Sequence, residues 1–99
     1  MMVAVVYSRH FTARKELRDI PDGLAELVLK NADSYYIDVM TDYRIAVKRV
    51  EFNGAERDMA LTYSISEDKI ILITLHPLKE GQRENRVQSG RWVKNESLL

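Results

Sequence analysis

Two histidines are the side chains of this sequence best suited to acid–base chemistry at neutral pH. His10 lies near the start of the chain, and His76 directly precedes Pro77 at the end of an apolar run, where strand alternation places it with Leu72 and Thr74. An unperturbed imidazole has a pKa of about 6.5, so it can take up or release a proton near neutrality. His76 is therefore a candidate catalytic residue. The alternative is a structural histidine, hydrogen-bonded where a strand ends.

Three basic side chains recur at a spacing that suits a helix. His10, Arg14 and Arg18 are each four residues apart, which places them on one side of a helix over roughly 12 Å. We name this set the basic stripe. Guanidinium groups bind phosphate oxygens, so the stripe predicts binding of RNA or of an acidic partner. Ion pairing with nearby acidic residues, or solvated heads on stems that pack over the core, is the alternative.

Lys48 and Arg49 lie where the alternation of a strand changes phase. The apolar residues before the pair share one strand face with Ile45, and those after it share the other face with Phe52. This change predicts a β-bulge at the pair, and bulges often re-aim side chains next to a site. Both residues are therefore candidate cations for a phosphate group, with a solvated strand face as the alternative.

Residues 79–99 form a polar and basic tail without a clear period. From Lys79 to Lys94 there are five Lys or Arg against two Glu, which leaves three positive charges. A lone tryptophan in this tail either packs the tail onto the body or is exposed to bind a partner. The tail residues that we predict to bind RNA or a partner are Arg83, Arg86, Arg91 and Trp92.

The elements that position these residues change from helical to extended near residue 34. A β-branched strand precedes two short helices, which Pro21 separates. Strands with period-two alternation follow, and Asn53-Gly54 supplies a hairpin turn. We therefore predict an α+β fold in which two N-terminal helices pack on a curled, mainly antiparallel, four- to five-stranded sheet. The predicted domain spans residues 1–78, and the tail, residues 79–99, packs on this body or on a partner.

Composition excludes several classes of protein. The 99 residues carry 15 Lys and Arg against 15 Asp and Glu, and this zero net charge argues against bulk electrostatic coating of nucleic acid. There are no cysteines, which excludes disulfides and thiolate metal sites, and we expect neither a metal nor a cofactor. The apolar run from Val3 to Tyr7 is too short for a signal segment or a membrane span, so we expect a cytoplasmic protein without membrane contact.

The pattern from about Val3 to Pro77 resembles a known family. It reads His10-x-x-x-Arg14-x-x-x-Arg18-x-Ile20, then an apolar helix, then strands that end Ile71-Leu72-Ile73-Thr74-Leu75-His76-Pro77. This layout is similar to small domains related to the RelE/ParE toxin superfamily, including BrnT-like toxins. The resemblance implies a compact antiparallel sheet with two N-terminal helices, and a toxin that pairs with an antitoxin. Many RelE-like members cut messenger RNA on the ribosome without a metal, whereas ParE-like members act on DNA gyrase.

In the nuclease branch of that family, basic residues on the sheet and a C-terminal basic or aromatic residue surround the scissile phosphate. The resemblance thus implies a metal-independent endoribonuclease with His76, Lys48, Arg49 and Tyr63 as candidate catalytic residues. RNA is favoured over gyrase because of the basic stripe. One alternative is a non-catalytic module that docks RNA or an acidic protein through the stripe and the tail. Another is a homodimer in which the tail wraps a neighbouring copy.

Overall fold

Nine helices and strands follow one another along residues 3–99, which are the residues that the computed structural model describes. Ser8 begins the first helix, because its Oγ accepts a hydrogen bond from the Phe11 N–H at 3.0 Å. Asn53 and Gly54, both at positive φ, turn the third strand into the fourth. The bounds are β1 Ala4–Tyr7, α1 Arg9–Leu17, α2 Leu24–Asn31, β2 Ser34–Asp38, β3 Arg44–Phe52, β4 Ala55–Ser66, β5 Lys69–Pro77, α3 Gln82–Gln88 and β6 Trp92–Asn95.

The strands form one mixed sheet in the order β1-β5-β4-β3-β2-β6. β1 runs parallel to β5, and the other neighbouring strands are antiparallel. The prediction of two N-terminal helices on a four- to five-stranded sheet is therefore wrong, although the chain is an α+β protein. Residues 3–99 contain six strands, and a third helix, α3, lies near the C-terminus. The tail supplies both α3 and β6, and β6 is so short that its alternation does not stand out in the sequence.

One face of the sheet is covered by α1 and α2, and we name it the helix face. Phe11 of α1 is buried there, together with Val28 and Leu29 of α2. Full burial of such a side chain contributes about 1.5–3 kcal/mol, so this cluster is the main source of stability. The strand residues of the same buried cluster are Ala46, Phe52, Met59, Leu61, Tyr63, Ile70, Leu72 and Leu75.

The opposite face, named the second face, has a buried cluster of its own. This explains the phase change in β3: Ala46 belongs to the helix-face cluster and Val47 to the other one. The predicted bulge at Lys48 and Arg49 is wrong, since β3 and β4 keep a continuous register there and Arg49 is opposite Asp58. β3 carries apolar residues on both sides because both of its sides are covered. The second-face cluster consists of Tyr36, Ile45, Val47, Ala60, Leu78 and Trp92.

A register shift does occur, but between Thr62 and Tyr63, where β4 pairs with β5. The pairing passes from Leu72 to Thr74, so Ile73 is the extra residue. The shift moves the second half of β5 to the other face. The prediction that His76 shares a face with Leu72 is therefore wrong, whereas Thr74 and His76 do lie together.

The tail is fastened to the body through a buried carboxylate. Asp38, only 4% exposed, accepts a hydrogen bond from Arg91 Nε at 3.2 Å and one from Trp92 Nε1 at 3.3 Å. The Trp92 ring is buried and packs on Tyr36, with ring centroids 5.5 Å apart. These contacts hold β6 against β2, so Trp92 packs the tail onto the body of the same chain.

The helices are all short. α1 spans 9 residues, α2 spans 8 and α3 spans 7. Among the residues described, no helix is long and apolar enough to cross a membrane.

Candidate functional site

His76 lies half-buried on the second face, near the end of β5. It is directly opposite Ala60, a member of the second-face cluster. Thr74 is two residues earlier on the same strand and therefore points to the same side. The register shift in β5 is what brings an imidazole and a hydroxyl together on this face.

Arg18 comes to the same place from α1. Its guanidinium Nη1 donates hydrogen bonds to Thr74 Oγ1 at 3.1 Å and to the Leu75 carbonyl at 3.2 Å. β1 pairs with β5 only as far as Leu72, so the edge of β5 beyond that point has no neighbouring strand. Arg18 satisfies one of the open carbonyls, which fixes the guanidinium beside the face that carries His76.

Arg86 of α3 contributes a positive charge that acts on His76. Burial lowers the pKa of His76 below its usual value, and the positive charges of Arg18 and Arg86 lower it further. His76 is therefore mainly neutral at pH 7, and a neutral imidazole can accept a proton. The fold thus gathers side chains from α1, β5 and α3 that are distant along the chain.

Arg18 and Arg86 differ from Arg49, Arg83 and Arg91 in their ionic partners. Within residues 3–99, neither forms an ion pair with a carboxylate. The Arg18 guanidinium bonded to a hydroxyl, together with the charge of Arg86 acting on a neutral imidazole, favours an anion here. A phosphate group suits this place, because it can accept hydrogen bonds from a guanidinium group and from a threonine hydroxyl.

Four of the other cations predicted from the sequence are engaged with carboxylates: Lys48, Arg49, Arg83 and Arg91. Lys48 Nζ lies 3.8 Å from Asp33. Arg49 Nη1 lies 3.3 Å from Asp58, and Arg83 Nε lies 3.7 Å from the same carboxylate. Arg49 also approaches Glu56 and Glu80, each at 3.9 Å, and Arg91 is bound to Asp38 at 3.2 Å. The structure thus places Lys48 and Arg49 in ion pairs and does not bring them into the set around His76.

Tyr63 lies on the helix face, away from His76. Its side chain is 0% exposed, and its hydroxyl donates a hydrogen bond to the Leu98 carbonyl at 2.8 Å. Burial raises the pKa of Tyr63 above its ordinary value, so the phenol is a poor proton donor. Tyr63 continues the regular alternation of β4, in which Met59 and Leu61 also face this cluster, so the extra residue in β5 does not change its direction.

The remaining members of the basic stripe lie on α1 beyond Arg18. His10 and Arg14 are both exposed, and neither has an ion-pair partner in the described part of the chain. The structure therefore brings Arg18 and Arg86 to His76, and it leaves Arg14 and His10 further along α1.

Sequence reasoning missed the role of Asp58 as the carboxylate shared by Arg49 and Arg83. The sequence did contain a signal for the contact between Asp58 and Arg49. Counting outwards from the Asn53-Gly54 turn pairs Phe52 with Ala55 and, three steps further, Arg49 with Asp58. The second contact, from Arg83, had no such signal, because it depends on how α3 packs.

Comparison of the chain with models of protein families, with curated proteins and with solved structures finds no match. Within residues 3–99, no group of three or more His, Asp or Glu side chains is arranged to hold a metal ion.

Proposed function

We propose that this protein is a toxin-like, metal-independent endoribonuclease that binds RNA with a phosphate at His76. The observation that carries the proposal is the position of His76 beside Thr74, where Arg18 donates hydrogen bonds to Thr74 Oγ1 and the Leu75 carbonyl and has no carboxylate partner within residues 3–99. The charge of Arg86 also acts on His76. The resemblance of the basic stripe and of the β5 sequence to RelE/ParE-related domains supports RNA as the polymer. An antitoxin protein is the partner that this resemblance implies.

Each group has a defined part in the proposed reaction. His76 takes the proton of a ribose 2′-hydroxyl, and the 2′-oxygen attacks the adjacent phosphorus. Arg18 and Arg86 stabilise the negative charge on the phosphate oxygens as the bond to the 5′-oxygen breaks. His76 returns its proton to that 5′-oxygen. The products are a 2′,3′-cyclic phosphate and a 5′-hydroxyl, with no change in oxidation state.

The substitution H76Q tests this proposal, because glutamine keeps a polar side chain and cannot exchange a proton near neutral pH. We expect cleavage of a single-stranded RNA in the presence of EDTA to fall by roughly 10²–10⁴-fold, the usual value of acid–base catalysis. The melting temperature of H76Q serves as the control for folding. Undiminished cleavage by a folded H76Q protein would disprove the catalytic role.

Growth of a bacterial host tests the toxin-like character separately. Induced expression of the wild-type protein should arrest growth, whereas H76Q should not. A host that grows normally while it accumulates folded wild-type protein would contradict the proposal.

A second candidate function is a non-catalytic module that binds RNA. It is favoured by one observation: the side chain that is hydrogen-bonded beside His76, at Thr74 and the Leu75 carbonyl, is Arg18, which binds anions but does not exchange a proton near neutral pH. In that case R86Q weakens RNA binding, and neither wild type nor H76Q cleaves RNA. Of the tail arginines predicted to bind, Arg83 and Arg91 are ion-paired, so Arg86 is the one to test.

A further inference from the structure

We infer that the basic stripe of α1 continues the phosphate site, so that the ligand is single-stranded RNA whose backbone runs from His76 along α1. This inference rests on the proposed function and adds to it the conformation of the RNA and the direction in which it leaves the site. The argument depends on Arg18, which belongs both to the site and to the stripe.

The stripe is a continuous helical row. Arg18 caps α1, and its backbone N–H donates to the Arg14 carbonyl at 3.0 Å, so the helical spacing extends to Arg18. Each step of four residues advances about 6 Å along the helix. His10, Arg14 and Arg18 therefore offer three cationic or polar heads in single file.

The exposure of the side chains differs along this row. Four residues turn a helix by about 400°, or 40° beyond a full turn, so the row drifts around α1. Arg18 is half-buried against β5, whereas Arg14 and His10 are exposed. The row thus begins at the phosphate site and emerges onto the surface, which gives a polymer a route out of the site.

Acidic side chains do not interrupt the row. Glu16 is two residues from both Arg14 and Arg18, a rotation of about 200°, so it lies on the other side of α1. Lys15 pairs with Asp22 and keeps that carboxylate away from the stripe. Within α1 an anionic polymer can therefore follow the stripe without meeting a negative charge, and exposed Asp19 lies beyond the helix, directly after Arg18.

A single row of cations fits the one phosphodiester backbone of a single strand better than the two backbones of a duplex. Proteins that bind single strands use a positively charged track along the backbone, whereas double-stranded RNA is contacted across its minor groove by a wider surface. The stripe is one residue wide and turns from the edge of the sheet onto a helix. A flexible strand can follow this turn, and a stiff duplex cannot.

Binding of 2′-O-methyl oligouridylates tests the inference, because they lack the attacking hydroxyl and stay intact. We compare an octamer with a dinucleotide, using R14Q, H10Q and the matched control R9Q. Arg9 is exposed on the same helix, but about 140° away from Arg14. We expect R14Q to weaken octamer binding roughly three- to tenfold at low salt, with a salt slope smaller by about 0.7. H10Q should also weaken octamer binding, whereas R9Q should not. Binding of the dinucleotide should be unchanged in all three variants.

Two results would overturn the inference. The first is octamer binding by R14Q equal to that by R9Q, and the second is a blunt RNA duplex of the same length competing as well as the single strand. R86Q separates this inference from the proposed function, because it should weaken both oligonucleotides. If R86Q weakens both while R14Q changes neither, only the path along α1 is disproved. If R86Q also changes neither, the phosphate site itself is disproved.

Discussion

Arg49 and Arg86 are both basic residues that the sequence marks as candidates, yet their surroundings differ. Arg49 lies within 4 Å of three carboxylates, from Glu56, Asp58 and Glu80. Arg86 has no such partner within residues 3–99, and its charge acts on His76 instead. At this scale the available charge depends on the partners of each cation rather than on its residue type.

The substitution R86Q should raise the pKa of His76, because it removes one of the two positive charges that disfavour the imidazolium form. Titration of the His76 ring protons by NMR measures this directly. The rise should be absent in R9Q, which removes an arginine of equal charge from the far end of α1. A pKa of His76 that is the same in R86Q and in wild type would show that Arg86 does not belong to the site.

At the scale of elements, β6 depends on one buried carboxylate. Asp38 accepts hydrogen bonds from the backbone N–H of Met40 as well as from Arg91 and Trp92. Burial opposes its ionisation, but the hydrogen bonds from Arg91, Met40 and Thr41 and the charge of Arg91 keep the pKa of Asp38 below its usual value. The attachment of an edge strand thus requires an ionised aspartate on its neighbour, β2.

The substitution D38N should destabilise the protein by about 1.5–3 kcal/mol near neutral pH, the usual contribution of hydrogen bonds to a charged group. Urea unfolding measures this loss, and D42N, the same change at an exposed position in the next turn, is the control. The difference in free energy of unfolding between D38N and wild type should decrease as the pH falls below 3.8 and then through the lowered pKa of Asp38. The reason is that protonation removes the charge of Asp38 in the wild-type protein. Equal stabilities of D38N and D42N would contradict this account.

At the scale of the whole molecule, the two faces of the sheet carry buried clusters of different size. The helix face holds the larger cluster, with Tyr63 fully buried and bonded to Leu98. The second face holds a smaller cluster and, beside it, His76, where we propose that a phosphate binds. We therefore expect substitutions in the larger cluster to change stability and substitutions at His76 to change ligand binding.

The substitution Y63F should lower the free energy of unfolding by about 0.5–1.5 kcal/mol, because the Leu98 carbonyl loses its donor. RNA binding and cleavage should stay at the wild-type level, since the Tyr63 side chain is fully buried and its hydroxyl is bonded to the Leu98 carbonyl, out of reach of a ligand. Y43F, at an exposed tyrosine, is the control for stability. A large loss of cleavage by a stable Y63F protein would instead support the catalytic role that the family resemblance implies.

Several elements could be predicted from the sequence because their signals are local. Pro21 separates the two N-terminal helices, Ser8 caps the first, and Asn53-Gly54 places β3 and β4 in register. The spacing of the basic stripe could also be read directly, since a helix repeats every 3.6 residues. Each of these features depends on residues within a few positions of one another.

Other features are set by contacts between distant parts of the chain, and local sequence patterns do not indicate them. The two apolar phases of β3 indicate a bulge in the sequence, but they arise because both faces of the strand are covered. The position of β6 beside β2 depends on Asp38 meeting Arg91 and Trp92, more than 50 residues later.

The sequence by itself determined the two N-terminal helices, the main strands, the hairpin turn and the types of side chain available for chemistry. Only the tertiary structure decided which of them meet: Arg18 and Arg86 at His76, Lys48 and Arg49 at carboxylates, and Tyr63 in the core. The physical reason is that helical and strand geometry follows from neighbouring residues, whereas ion pairing and burial depend on a sheet that joins residues far apart along the chain.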